Sequence, residues 1–97
     1  MIIISPYSKK LFNGRENPKN YPYWSELLSL IPKSQHIIQV GIEGETQLVE
    51  DFQKDLSLTE LRKLIHECDI WISCDSFFQH LGWECGKQGI VLWSVSD

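Results

Sequence analysis

The chain has 97 residues, which is enough for one domain with a single modest hydrophobic core. Hydrophobic residues make up 42% of it and charged residues 23%, ordinary globular values that exclude a disordered chain. Its formal net charge of −4 argues against non-specific binding to nucleic acid or to anionic membranes, because both need clustered positive charge. The longest apolar run, Met1–Ile4, is far too short for a membrane span or a signal peptide.

The cysteines of the chain predict neither a disulfide framework nor a metal site. Cys68, Cys74 and Cys85 are odd in number, which is typical of a reducing compartment and predicts a cytoplasmic protein. His66 and His80 lie in the same stretch, but no C-x-x-C or H-x₃₋₅-H pair occurs there, so we predict no metal and no other cofactor. A Cys–His nucleophile pair has no better support, because Cys74 ends an apolar run, where free cysteine usually behaves as a small hydrophobic residue.

The first half of the chain alternates apolar runs with a helical pattern. Ile2–Ser5 is a β-branched run and predicts a buried first strand. Ser8–Asn20 has no periodicity and predicts a loop, and loops of this length are often functional. Tyr21–Ile31 carries apolar residues at i, i+3, i+4 and i+7 and predicts a helix that ends at Pro32. His36–Ile42 predicts the second strand.

The second half of the chain repeats this alternation. Leu48–Phe52 predicts a short third strand, although its pattern is weak. Ser57–Cys68 opens with a capping-box sequence and continues with one apolar face, which predicts a helix. Ile70–Cys74 predicts a fourth strand, Phe77–Cys85 a short helix, and Gly89–Val95 the last strand.

Strands separated by helices predict βαβ units and therefore an α/β fold with a parallel sheet and flanking helices. No helical pattern follows the last predicted strand, whereas a parallel sheet needs cover on both faces. We therefore interpret the chain as part of a larger unit, completed by another domain or by self-association. The tryptophans are spread over different elements, which favours core positions over a base-stacking platform; they are Trp24, Trp71, Trp83 and Trp93.

Three turns are candidate ligand sites, because ligands of parallel α/β sheets bind where strands end and helices begin. They are Ser5–Ser8, Gly41–Thr46 and Asp75–His80, and parallel strands would bring all of them to one edge. None contains a G-x-G-x-x-G or a Walker sequence, so the motif signal for phosphate binding is weak.

Individual side chains at these turns suit a phosphorylated ligand. Asp75 can cap the following helix, leaving Ser76 and the helix N–H groups to meet an anion, with His80 one turn further. Lys19 on the long loop could reach a diphosphate, and Glu45 could accept hydrogen bonds from ribose hydroxyls. Each assignment has a structural alternative. The segment from Asp75 to His80 can be an ordinary capped helix with a half-buried histidine. Lys19 can be a solvated loop lysine, and Glu45 can belong to a polar turn.

The segment Asp75–Leu81, with the sequence DSFFQHL, resembles the C-terminal domain of heptosyltransferase-type (family 9) glycosyltransferases. Those enzymes carry an Asp-Ser/Thr-Gly-x-x-His-Leu segment, followed by a helix that ends in Gly-Lys, as Gly86-Lys87 does here. Lys19–Trp24 is similar to their loop lysine followed by a proline and a tryptophan, and Glu45 to the acidic residue of their second-strand turn. Phe77 departs from the family, since it replaces the glycine that lets the backbone approach the diphosphate.

The resemblance implies a GT-B architecture, in which the second of two Rossmann-like domains holds the nucleotide-diphosphate sugar. It implies that Asp75, Ser76 and His80 face the diphosphate sugar, and that Ser8 and Lys19 contact the phosphates. The general base of such enzymes comes from the other domain, so the isolated chain is expected to be inactive. The sequence thus predicts the donor-binding part of a metal-independent glycosyltransferase acting on a glycan or a lipid-linked acceptor. The alternative is a non-catalytic α/β module that binds a nucleotide or a protein.

Overall fold

A computed structural model of the chain describes residues 1–7, 23–74 and 77–92. Strands and helices alternate along the chain, except that the second and third strands follow each other without a helix between them, as the apolar pattern predicts. The strands are β1 (Ile2–Ser5), β2 (Ile37–Gly41), β3 (Asp51–Lys54), β4 (Ile70–Cys74) and β5 (Gly89–Leu92), and the helices are α1 (Trp24–Ser29), α2 (Leu58–Glu67) and α3 (Phe77–Glu84).

The strands form one five-stranded sheet in the order β3-β2-β1-β4-β5, and every neighbouring pair is parallel. This confirms the predicted α/β fold, which is Rossmann-like. From β1 the chain builds outwards to β2 and β3, then returns to the other side of β1 for β4 and β5. The order therefore reverses between β1 and β4, where Ser5 lies opposite Ser73.

Each face of the sheet carries its own hydrophobic cluster, because successive residues of a strand point to opposite faces. Ile3 belongs to the cluster under α2 and α3, whereas the next residue, Ile4, belongs to the cluster under α1. The buried members of the first cluster are Ile3, Ile38, Val40, Ile65, Cys68, Trp71, Phe78 and Leu81. Those of the second are Ile4, Trp24 and Ile72.

Helix α2 starts with the predicted capping box. The Ser57 hydroxyl accepts the Glu60 N–H at 3.1 Å, and the Ser57 N–H donates to Glu60 Oε1 at 3.0 Å. These two bonds satisfy two of the N–H groups that every helix start leaves unpaired. Helix α1 is shorter than its pattern predicts, since its helical residues end at Ser29, and residues 21 and 22 lie outside the described part.

A loop instead of a helix joins β2 to β3, and the fully buried Gln39 holds it against the sheet. Gln39 Nε2 donates to the Thr46 carbonyl at 2.9 Å, and Gln39 Oε1 accepts the Leu48 N–H at 2.7 Å. The predicted third strand at 48–52 is displaced for this reason. Leu48 and Val49 pack against the second cluster as part of the loop, and the observed strand covers Asp51–Lys54.

The tryptophans divide between core and surface. Trp24 and Trp71 are buried, as predicted, and Trp71 Nε1 donates to the Lys87 carbonyl at 3.0 Å. The prediction is wrong for Trp83, whose side chain is 55% exposed. Helix α3 turns Phe78, Leu81 and Gly82 towards the sheet, so Trp83 lies at the rim of this face, with its ring edge-on to Trp71 and the ring centroids 6.2 Å apart. Trp93 lies outside the described residues.

The last strand is observed at Gly89–Leu92, and residues 93–95 of the predicted strand fall outside the described part. Val91 packs on the first cluster and Leu92 on the second, but Ile90 is 46% exposed. β5 lies at the edge of the sheet with an incompletely covered apolar side chain. Among residues 1–7, 23–74 and 77–92, no helix has the length and apolar character needed to cross a membrane.

Candidate functional site

The candidate site lies at the carboxyl ends of β1 and β4, where the strand order reverses. In open α/β sheets, ligands bind in the crevice outside this switch point, because the connections leave it on opposite faces. Since all strands are parallel, the segments that follow β1, β2 and β4 leave the sheet at this same edge, as predicted. Pro6, directly after β1, accepts a hydrogen bond from Trp24 Nε1 at 3.2 Å through its carbonyl. This buried bond ties the segment after β1 to α1.

The first turn of α3 follows β4 at this edge and presents two kinds of side chain. Phe78 and Gln79 are buried, whereas Phe77 and His80 are exposed. The His80 ring packs edge-on against Trp83, with ring centroids 6.1 Å apart. The half-buried position considered for His80 is therefore wrong, and its imidazole is accessible to a ligand at the start of α3.

Glu45 lies at the same edge and holds the turn after β2. Its Oε1 accepts the Ile42 N–H at 3.0 Å, and its own N–H donates to the Ile42 carbonyl at 3.3 Å. Gly44 adopts φ +96, a conformation that favours glycine, and a Cβ at Gly41 would overlap the Glu45 carboxylate. Glu45 thus has the structural role of a polar turn, and its contact with a ribose stays a prediction.

The other predicted site residues are Ser8, Lys19, Asp75 and Ser76, and all of them lie outside the described residues. Their predicted contacts, and the capping role of Asp75, stay predictions. Of the predicted set, the structure brings Glu45 and His80 to one edge of the sheet. They follow β2 and β4, which are separated by β1 and hence by two strand spacings, about 10 Å.

Two side chains at this edge were missed by sequence reasoning. Lys54, at the carboxyl end of β3, places Nζ 3.1 Å from Glu43 Oε2 and 5.4 Å from the centre of the Phe52 ring. A lysine that ends a strand is a weak signal, because it also serves as an ordinary solvated residue. Gln79 is buried on the first turn of α3, and a glutamine at this position carries no sequence signal for burial.

The cysteines contribute no reactive site to the described part of the chain. Cys68 and Cys74 are buried, Cys85 is partly buried, and the three cysteines form no disulfide with one another. Burial raises the pKa of the Cys68 thiol, which keeps it protonated and unreactive. No group of three potential metal ligands occurs among residues 1–7, 23–74 and 77–92.

A separate groove of about 700 Å³ lies at the opposite, amino-terminal edge of the sheet. It runs between the end of α1 and the loop that replaces a helix between β2 and β3, with Ile31, Ile37 and Leu48 among its walls. The exposed pair His36 and Asp51, joined at 2.9 Å, lies at this groove. We place the candidate site at the switch point instead, since the groove follows from the missing helix and holds no buried polar anchor.

Comparisons of the chain with protein-family models, with curated protein sequences and with solved structures find no match. The assignment to heptosyltransferase-type enzymes therefore stays a resemblance carried by the DSFFQHL segment and its surroundings. The fold and the placement of this segment are the observations on which a functional proposal can draw.

Proposed function

We propose that this chain is the nucleotide-diphosphate-sugar-binding part of a GT-B glycosyltransferase. The main support for this proposal is the position of the DSFFQHL segment in the sheet. The segment that resembles the family's donor-binding motif continues from β4, and β4 is the strand beside β1 at which the sheet order reverses. A motif of this kind after β2, β3 or β5 would not open onto the switch-point crevice, which lies between β1 and β4.

The chemistry of this edge suits an anionic ligand in spite of the negative charge of the whole chain. Helix α3 begins here, and a helix start presents unpaired N–H groups and a partial positive charge to a diphosphate. His80 is accessible on the same turn and can pair with a phosphate oxygen. Because the net charge of −4 disfavours general attraction of anions, binding would depend on these local groups.

The proposed reaction is the transfer of the sugar to a hydroxyl of a glycan or a lipid-linked acceptor. The acceptor oxygen forms a bond to the anomeric carbon, the bond from that carbon to the diphosphate oxygen breaks, and the hydroxyl proton goes to a base. In GT-B enzymes the base belongs to the other domain. The part proposed for this chain is to hold the donor and to stabilise the negative charge on the departing diphosphate.

A titration followed by NMR tests this proposal. UDP, ADP and their glucose esters are added to the ¹⁵N-labelled chain, and the amide signals are followed. We expect shifts at Phe77–His80, at Lys19 and at Glu45, with Glu60–His66 of α2 unchanged as the internal control. No shift at millimolar ligand, or shifts confined to Glu60–His66, would contradict the proposal.

A non-catalytic α/β module that binds a nucleotide or a protein is the second candidate. The outer side of α3 favours it, because Phe77 is 65% exposed and Trp83 is 55% exposed. Exposed aromatic side chains are common in protein interfaces. Nucleotide binding without sugar transfer in the complete protein would favour a module, and an inert chain in the titration would favour a protein-binding one.

A further inference from the structure

We draw no further inference here: the strongest candidate, the groove at the amino-terminal edge of the sheet between the end of α1 and the loop that joins β2 to β3, is lined by apolar residues and by residues of both charges, and nothing in the structure shows what covers it.

Discussion

Gly82→Ala tests the packing that holds α3, and with it the start of the candidate site, against the sheet. In the middle of an ordinary helix this substitution stabilises a protein by about 1 kcal/mol, because alanine is the better helix former. Here we expect the opposite sign. The added Cβ would lie 2.8 Å from Cζ2 of Trp71 and nearer still to two other ring atoms.

The magnitude follows from the confinement of the indole. Carbon atoms pack best at about 3.5–4.0 Å, and the nearest ring atom, Cε2, would lie about an ångström or more inside that distance, so the ring would have to move by about an ångström or more. Trp71 is fully buried, and a Cβ at Gly89 would also overlap its ring, so a second backbone segment lies directly against the indole. Overpacking of a rigid core costs about 1–3 kcal/mol. Because the ring has little room to move, we take the upper end of this range, about 3 kcal/mol, as the cost of overpacking. Subtracting about 1 kcal/mol for the better helix propensity of alanine leaves a net loss of about 2 kcal/mol in the free energy of unfolding.

Chemical and thermal unfolding measure this loss, which corresponds to a decrease of about 8–16 °C in Tm for a domain of this size. Trp71→Phe provides the matched background, because it removes the ring atoms that the new Cβ would meet. In that background Gly82→Ala should become neutral or stabilising, so the double-mutant cycle should show strong coupling. A Gly82→Ala chain as stable as the wild type would refute the packing argument.

The remaining predictions concern the helix cap, the loop after β2 and the proposed site. Ser57→Ala should lower the free energy of unfolding by about 1 kcal/mol, measured by urea denaturation, because it removes the N-cap of α2. Hydrogen bonds from the backbone and the hydroxyl of Ser57 lower the pKa of Glu60 below its ordinary value of 4.5. Because the folded-state pKa is lowered, this stabilisation is present above pH 4.5 and is lost as the pH falls through the folded-state pKa. Glu60→Gln should therefore flatten the dependence of the free energy of unfolding on pH in that acidic range. An unchanged pH dependence would contradict the capping box. Gln39→Leu should cost about 1–3 kcal/mol, because it leaves the part-buried Thr46 carbonyl and Leu48 N–H without their partner. It should also expose the amides of the loop after β2 to hydrogen exchange, and persistent protection would count against the anchoring role. His80→Ala should weaken donor-nucleotide binding by about 1–3 kcal/mol, with His66→Ala on α2 as the control, and equal affinities would remove His80 from the site. The purified 97-residue chain should transfer no sugar even where it binds the donor, because the proposed general base belongs to the other domain. Sugar transfer by this chain in a donor-consumption assay would contradict that assignment of the base.

Local patterns explain why much of the fold could be predicted. Strand and helix identity follow from periodicity over a few residues, and the Ser57–Glu60 capping box depends only on side chains three positions apart. The parallel arrangement also follows, because β4 and β5 are joined by a helix and such a crossover returns the chain in the same direction. Sequence reasoning therefore identified the edge of the sheet at which Glu45 and His80 lie.

The same reasoning misplaced elements whose position depends on distant partners. The third strand is displaced because the buried amide of Gln39 holds Thr46–Leu48 as a loop, a contact that no pattern within 48–52 indicates. Trp83 is 55% exposed because Gly82 takes the closest approach to the crowded Trp71 ring, whereas the Trp83 ring packs edge-on against Trp71 with the ring centroids 6.2 Å apart. The apolar character of a helix residue does not by itself show whether that residue or a neighbouring glycine will pack closest to the sheet.

The sequence by itself determined the alternation of strands and helices, the capped start of α2 and the residue types available at the strand ends, because these depend on neighbours along the chain. Only the tertiary structure decided the order β3-β2-β1-β4-β5, and with it the pair of strands between which the site opens. It also decided that Gln39 finds partners for its amide whereas Gln79 Oε1 finds none among the described residues. Strand order and the pairing of buried polar atoms are properties of residues far apart in the chain, brought together only when the two hydrophobic clusters form on either side of the sheet.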